Sequence, residues 1–259
     1  MVRRLKYKMN LFEKILFYVS VPKCIFCKEP LEIDDRGLCK KCKEQYDDFK
    51  DNNCSLCKKQ LYECSCTSKY LESHFVHKLV KIYRYKNDEP TPSNNLIYHL
   101  KRNNRRDVVK FLADELTNAI KNSLKIDENT VFTSVPRRRS ERIKYGIDHA
   151  EKLSKAIAKN FSAKYMPLLK SKAKKAQKAS KNTEERLRNA NFKLKSEKHD
   201  LHGKTVIIID DVVTTGASMG AAAFNIKALG PKKIHGACIA IAYKDPYIQL
   251  SEKDRFSGK

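Results

Sequence analysis

The chain has no uninterrupted apolar run approaching the ~20 residues that a membrane-spanning helix needs. An apolar stretch near the start is broken by Glu13 and Lys14, and no small-residue cleavage site follows it. A secretory leader is therefore not expected; an amphipathic helix packing on the neighbouring cysteine-rich region or on a partner is. Acidic residues are scarce beside basic ones: 30 Asp and Glu stand against 54 Lys and Arg, a formal net charge of +24 over 259 residues. That imbalance favours polyanions as partners (nucleic acid, anionic lipid or phosphorylated small molecules) and says nothing about the fold. No helix-turn-helix or other DNA-reading helix is recognisable, which leaves a classical transcription regulator without support. With 41% hydrophobic residues the chain has enough apolar surface for a packed core.

Cysteine is almost absent after residue 66. Eight of the nine cysteines fall between Cys24 and Cys66, as Cys24-x-x-Cys27, Cys39-x-x-Cys42, Cys54-x-x-Cys57 and Cys64-x-Cys66, and the ninth, Cys238, stands alone in an apolar stretch. Two thiolates in a short knuckle reach one Zn²⁺ at ~2.3 Å, and four complete a closed tetrahedron. Two such sites account for all eight, with the sequential grouping expected and an interleaved one left open by spacing. A disulfide framework fits worse, because nothing marks the chain for an oxidising compartment. With four thiolates per ion no coordination position stays open, so both zincs are expected to be structural, and metal binding supplies much of the folding energy of this segment.

Beyond the cysteines the pattern alternates between strands and helices. Strands are expected at 77–86, 130–136, 206–209 and 234–242, and helices at 94–99, 106–121, 149–160 and 217–229, with a turn-rich break at 88–95. The run Val206-Ile207-Ile208-Ile209 is apolar throughout, as in strands covered on both faces of a parallel sheet. Such alternation predicts an α/β domain with a mainly parallel sheet flanked by helices. Residues 170–182 carry six lysines and no acid, which suits either a solvated basic linker or a basic loop closing over a phosphorylated ligand.

The stretch VIIIDDVVTTGAS, residues 206–218, concentrates the chemistry. Ligands of open α/β sheets bind beyond the carboxyl ends of the strands. Asp210 and Asp211 stand at such an end, and Thr214, Thr215, Gly216, Ala217 and Ser218 wrap the start of the next helix. Backbone N–H groups there, joined by hydroxyls, form a phosphate cradle favoured by the helix dipole. The carboxylates suit the vicinal hydroxyls of a ribose, or a Mg²⁺ bridging them. The whole describes a receptor for a ribose 5-phosphate.

This run resembles the 5-phosphoribosyl-1-pyrophosphate (PRPP) motif of type I phosphoribosyltransferases. The resemblance widens to residues 20–245 and to the ComF/GntX family. It rests on the cysteine knuckles, a segment holding Tyr85, Leu100 and Lys101, a Val135-Pro136 strand end followed by basic residues, a linker with Arg186, Asn189 and Phe192, and then the PRPP motif. The resemblance implies a type I phosphoribosyltransferase fold at 71–259 with a small zinc-binding domain at 1–70. It implies Asp210 and Asp211 as ribose ligands, 214–218 as the phosphate loop, Lys101 in the pyrophosphate-binding loop, and 170–189 as a hood. The family usually carries R-G-F-N-Q after the basic residues; here Tyr145-Gly146-Ile147-Asp148-His149 keeps only the glycine.

Competence members of that family work in natural transformation beside a DNA-uptake helicase and a recombination mediator. The resemblance thus implies a cytoplasmic protein, brought to the inner face of the membrane through partners, that binds PRPP with Mg²⁺ and single-stranded DNA. Tyr83, Tyr85 and Tyr98 among lysines are candidates for stacking on bases, or else ordinary packing residues. The alternative is a salvage or synthetic phosphoribosyltransferase, although no segment identifies an acceptor base.

Overall fold

The structure, a computed structural model, describes residues 21–32, 34–35, 37–50, 53–85, 91–102, 105–137, 143, 148–172 and 192–242. The expected amphipathic helix at the start, the centre of the basic hood, and the Tyr145–Ile147 departure lie outside the described residues.

Five parallel strands form the central sheet: β1 (Leu79–Tyr85), β2 (Thr130–Ser134), β3 (Lys164–Tyr165), β6 (Thr205–Val213) and β7 (Lys233–Ala242), in the order β1-β7-β6-β2-β3. A separate antiparallel pair, β4 (Leu169–Ser171) with β5 (Phe192–Leu194), flanks the hood segment. The helices are α1 (Lys40–Lys50), α2 (Lys69–Ser73), α3 (Pro92–Arg102), α4 (Arg106–Ser123), α5 (His149–Asn160) and α6 (Ala217–Lys227).

The sheet is covered on both faces, which is why its strands read as continuous apolar runs. Ile207 and Ile209 point into a core with Leu153, Ile157 and Ala158 of α5 and Phe111, Leu112 and Leu116 of α4. Val206 and Ile208 point the other way, against Met219, Ala222, Ala223 and Ile226 of α6 and Phe192 of β5. Asp148 caps α5, its carboxylate accepting the Glu151 N–H at 3.2 Å.

The crossover from β2 through α5 leads to one side of the sheet, and the crossover from β6 through α6 leads to the other. Their shared starting line lies between β2 and β6. Right-handed crossovers running in opposite directions put their helices on opposite faces and open a crevice at the carboxyl ends of those two strands.

Beside the short elements α2, β3, β4 and β5, which the sequence pattern does not mark, three differences from the sequence expectation stand out. β6 runs on through both acids to Val213, because the long β7 keeps offering partners: Asp210 lies opposite Cys238, Val212 opposite Ala240 and Val213 opposite Ile241. On its other edge β6 loses β2 after the Val135 N–H donates to the Ile209 carbonyl at 3.0 Å, and Pro136 has no N–H to continue. The acids therefore occupy a half-paired strand end. Helix α3 starts inside the expected turn-rich break, since Thr91 accepts the Asn94 N–H at 3.2 Å and proline is well placed at the first helical position. Helix α1 carries mostly charged residues, and Cys42 and Tyr46 anchor it in the core.

Candidate functional site

The eight paired cysteines converge in two groups, Cys24, Cys27, Cys39 and Cys42, and Cys54, Cys57, Cys64 and Cys66, each with its sulfur atoms within 4.8 Å of one another. The sequential grouping is the one adopted. Cys27 Sγ lies 3.6 Å from Cys39 Sγ, and Cys57 Sγ 3.5 Å from Cys64 Sγ. A tetrahedron with bonds of ~2.3 Å needs sulfurs about 3.8 Å apart, so both clusters could hold zinc.

The two knuckles repeat one turn. Lys28 and Lys58 follow the second cysteine of each with φ of 67° and 62°, and their N–H groups return to the carbonyls of Cys24 and Cys54 at 3.2 and 2.9 Å. Burial raises the Cys24 thiol, but the backbone N–H groups of Cys39, Cys27 and Phe26 bring it down to about 7. Cys54 reaches about 7 in the same way. Neighbouring thiols move the opposite way, burial pushing Cys66 up to about 12. These groups are the kind of donor set that a metal ion resolves by taking all four as thiolates.

The sequence pattern, which expects a strand at 77–86, does not single out Lys81. It is buried, and its Nζ lies 3.2 Å from Cys64 Sγ and 2.5 Å from the Cys66 carbonyl. Counting four thiolates against one divalent ion gives each site a formal charge of about −2. An ammonium buried against the second site offsets part of it.

At the switch point, Asp211 faces α3, where Lys101 in the helix's last turn places Nζ 3.2 Å from Asp211 Oδ2. The Asp211 N–H donates to Asp210 Oδ1 at 2.8 Å, and the Val212 N–H to Asp211 Oδ1 at 2.6 Å. Burial and then the Asp211 charge push the Asp210 carboxyl up to about 8, against the pull of that N–H and of Lys101. His149, first residue of α5, is fully buried, and neither ring nitrogen makes a hydrogen bond of good geometry. Burial and then the Arg137 charge hold it down to about 4, while Asp211 and the Lys101 backbone pull the other way. The position thus joins Lys101, Arg137 and Asp211 in one charged crevice.

The phosphate-type turn lies just beyond. Thr215 Oγ1 accepts the Ala217 N–H at 3.3 Å, Thr214 is exposed and Ser218 half-buried. Gly216 is the N-cap of α6, at φ 79°, and a Cβ there would meet Leu71 Cδ2 at 3.0 Å. The turn therefore needs glycine twice over, for its backbone and for its fit against α2. Gly216→Ala is expected to cost about 1–2 kcal/mol from the left-handed backbone alone, read from a denaturant midpoint.

Of the three tyrosines, Tyr83 is a packing residue and has no face open for stacking. It is fully buried, with its hydroxyl donating to the Ser93 carbonyl at 2.9 Å and its ring edge-on to Tyr46. Tyr85 is half-buried against the core, and Tyr98 is exposed.

A parallel sheet with an acid-bearing strand end and a glycine-capped helix at its switch point is the framework of a phosphoribosyltransferase domain, and residues 148–256 match the phosphoribosyl transferase domain family. The chain is also similar to Competence protein F of Haemophilus influenzae, with 26% identity over 226 residues spanning 82% of this chain and 93% of that protein. Among solved structures, adenine phosphoribosyltransferase from Saccharomyces cerevisiae is similar at 16% identity and a TM-score of 0.34, covering 72% of this chain and 95% of that one. UMP synthase from Leishmania donovani is similar at 12% identity and a TM-score of 0.33, covering 71% of this chain and 32% of that one. The chain thus carries a phosphoribosyltransferase domain and two cysteine clusters, and over most of its length it is similar to Competence protein F. Among the described residues no helix is long and apolar enough to cross a membrane.

Proposed function

We propose that the chain binds a 5-phosphoribosyl ligand, PRPP with Mg²⁺, at the β2–β6 switch point, and that it also binds single-stranded DNA in support of DNA uptake during natural transformation. One observation carries the ligand reading: Asp210, Asp211, Lys101 and the glycine-capped start of α6 converge on one crevice at the carboxyl end of β6. In this reading the carboxylates accept the ribose hydroxyls. The amides and hydroxyls of 214–218 take the 5-phosphate, and Lys101 swings from Asp211 to the pyrophosphate. The two carboxylates are hard oxygen donors that suit Mg²⁺, whose contribution when bound is to neutralise pyrophosphate charge.

The DNA half of the reading draws on the net charge of +24 and on the likeness to a protein called Competence protein F. Calorimetry with PRPP and Mg²⁺ tests the site: wild type is expected to bind, and Asp210→Ala/Asp211→Ala to lose binding by a hundredfold or more. Unchanged affinity in the double variant removes the assigned site. A nucleobase screen following pyrophosphate release tests the rest, since brisk turnover of one base would replace DNA handling with nucleotide salvage.

A further inference from the structure

The end of the sheet opposite the crevice carries an exposed aromatic pair that the ligand site does not use. Phe75 and Phe224 are 38% and 61% exposed, their ring centroids are 6.2 Å apart with a 33° interplanar angle, and Lys227 Nζ stands 5.7 Å from the Phe75 centroid.

Phe75 is held there at a backbone cost. It closes α2 in a Schellman turn: the Val76 N–H reaches the Leu71 carbonyl at 2.9 Å and the Phe75 N–H the Glu72 carbonyl at 3.0 Å. The residue at that position takes a left-handed conformation and is usually glycine. Here it is phenylalanine, at φ 68°. A bulky residue kept where glycine is unstrained, with its partly exposed ring beside Phe224 at the surface and outside the core clusters, points to a use for the ring.

The surroundings are basic. His77, Lys78, Lys227, Lys232 and Lys233 are all exposed at the amino ends of β1 and β7 and the carboxyl end of α6. Of these, His77, Lys78 and Lys233 lie close enough to His235 that, after burial, their charges hold it down to about 4. Glu72 is an exposed acid on the same turn, and Asp200 is already taken by His202 at 2.6 Å.

We propose that Phe75 and Phe224, with Lys227 beside the Phe75 ring and the other exposed lysines at the same end of the sheet, are a base-stacking platform for single-stranded DNA, the rings taking bases and the lysines the phosphodiesters. Stacking on aromatic faces beside a cationic track is how sequence-tolerant single-strand sites work. The platform rests on the DNA reading above but not on the PRPP site. A strand of β7's length puts about 30 Å between the two ends of the sheet.

The test is fluorescence anisotropy with labelled oligothymidylate over a salt series, beside PRPP calorimetry on the same proteins. Phe75→Leu/Phe224→Leu is expected to weaken DNA binding about tenfold to a hundredfold and leave PRPP binding unchanged. Phe224→Trp is expected to retain or improve DNA binding. Phe75→Gly relieves the left-handed backbone, so its loss of DNA affinity cannot be laid to a broken turn. Lys78→Ala/Lys233→Ala is expected to flatten the salt slope by about 0.7 per lysine.

Leucine variants that bind DNA as wild type does overturn the platform while the DNA reading survives. Wild type with no salt-sensitive affinity for the oligonucleotide overturns the DNA reading itself. Leucine variants that change only the sedimentation coefficient overturn the platform in favour of a contact between copies of the chain.

Discussion

Stripping zinc from the reduced protein is expected to melt the phosphoribosyltransferase domain together with the cysteine clusters, in one transition. Cys24 and Cys42 do not belong to a separate appendage. They lie in the same buried cluster as Tyr46 of α1, Val80 and Ile82 of β1, Phe111 and Leu112 of α4, and Ile207 and Ile209 of β6. Tyr46 is fully buried between the rings of Tyr83 and Phe111, with centroids 5.9 and 5.4 Å away. Structural zinc sites contribute on the order of 10 kcal/mol in isolated modules, and even half of that, lost from a chain of this size, lowers a melting midpoint by about 10–20 °C. Metal analysis is expected to give two zincs per chain, and scanning calorimetry with chelator a single, strongly lowered peak. A chelated protein that melts as the native one does would exclude structural zinc.

The second cluster adds a specific consequence. Cys66 leads directly through Ser68, whose hydroxyl accepts the Leu71 N–H at 3.3 Å, into α2, and Leu71 is the side chain against Gly216. Cys57→Ser is therefore expected to cost ligand affinity at the turn 214–218 as well as stability. Loss of the ion also leaves the buried Lys81 ammonium beside thiols that no longer need to be ionised, which adds to the penalty.

What was legible in the sequence was whatever repeats or alternates locally. The cysteine spacings gave the four pairs, because each pair spans only a few residues; which pairs share a cluster was left open by spacing and is set by the fold. The apolar run 206–209 and the small-residue helix after it gave the heart of the sheet for the same reason. The end of β6 was not legible: whether Asp210 to Val213 stay in a strand depends on β7 offering Cys238 to Ile241 opposite them, a contact across the crossover.

Lys81 was hidden for a similar reason. Lys81 shares its face of β1 with Leu79 and Tyr83, and only the fold puts the second cysteine cluster beside it. The start of α3 is legible in Thr91-Pro92, since threonine before proline marks a helix start as well as a turn. Phe75 carries no sequence signal, because a left-handed phenylalanine looks like any other until its helix is seen to end there.

Affinity for PRPP and Mg²⁺ is expected to rise about tenfold per pH unit up to about pH 8 and then level off, through Asp210. Its carboxyl is pushed up to about 8 by burial first and by Asp211 second, with Asp148 adding to the rise and the Asp211 N–H and Lys101 opposing it. At neutral pH the ligand-free site therefore holds a proton there. A carboxylate that accepts a ribose hydroxyl or binds Mg²⁺ must give it up, so binding releases a proton and is favoured by raising pH.

Stability of the ligand-free protein moves the opposite way. In the unfolded chain the same aspartate ionises near pH 4, so between about 4 and 8 the folded state holds the extra proton and stability falls as pH rises. His149 and His235, each held down to about 4, oppose this below about pH 6.5, because there the unfolded chain holds the extra protons. Between pH 6.5 and 8 the histidines drop out, and Cys24 and Cys54, brought down to about 7 in the folded chain, act against Asp210, so the comparison with Asp210→Asn is what isolates its contribution. Calorimetry in two buffers of different ionisation enthalpy at pH 7 is expected to show the release of about one proton in wild type beyond that of Asp210→Asn, with titration of the ligand's own phosphates common to both. If the variant keeps the wild-type proton release and pH slope, the proton belongs to another group, and Asp210 meets the ligand already ionised.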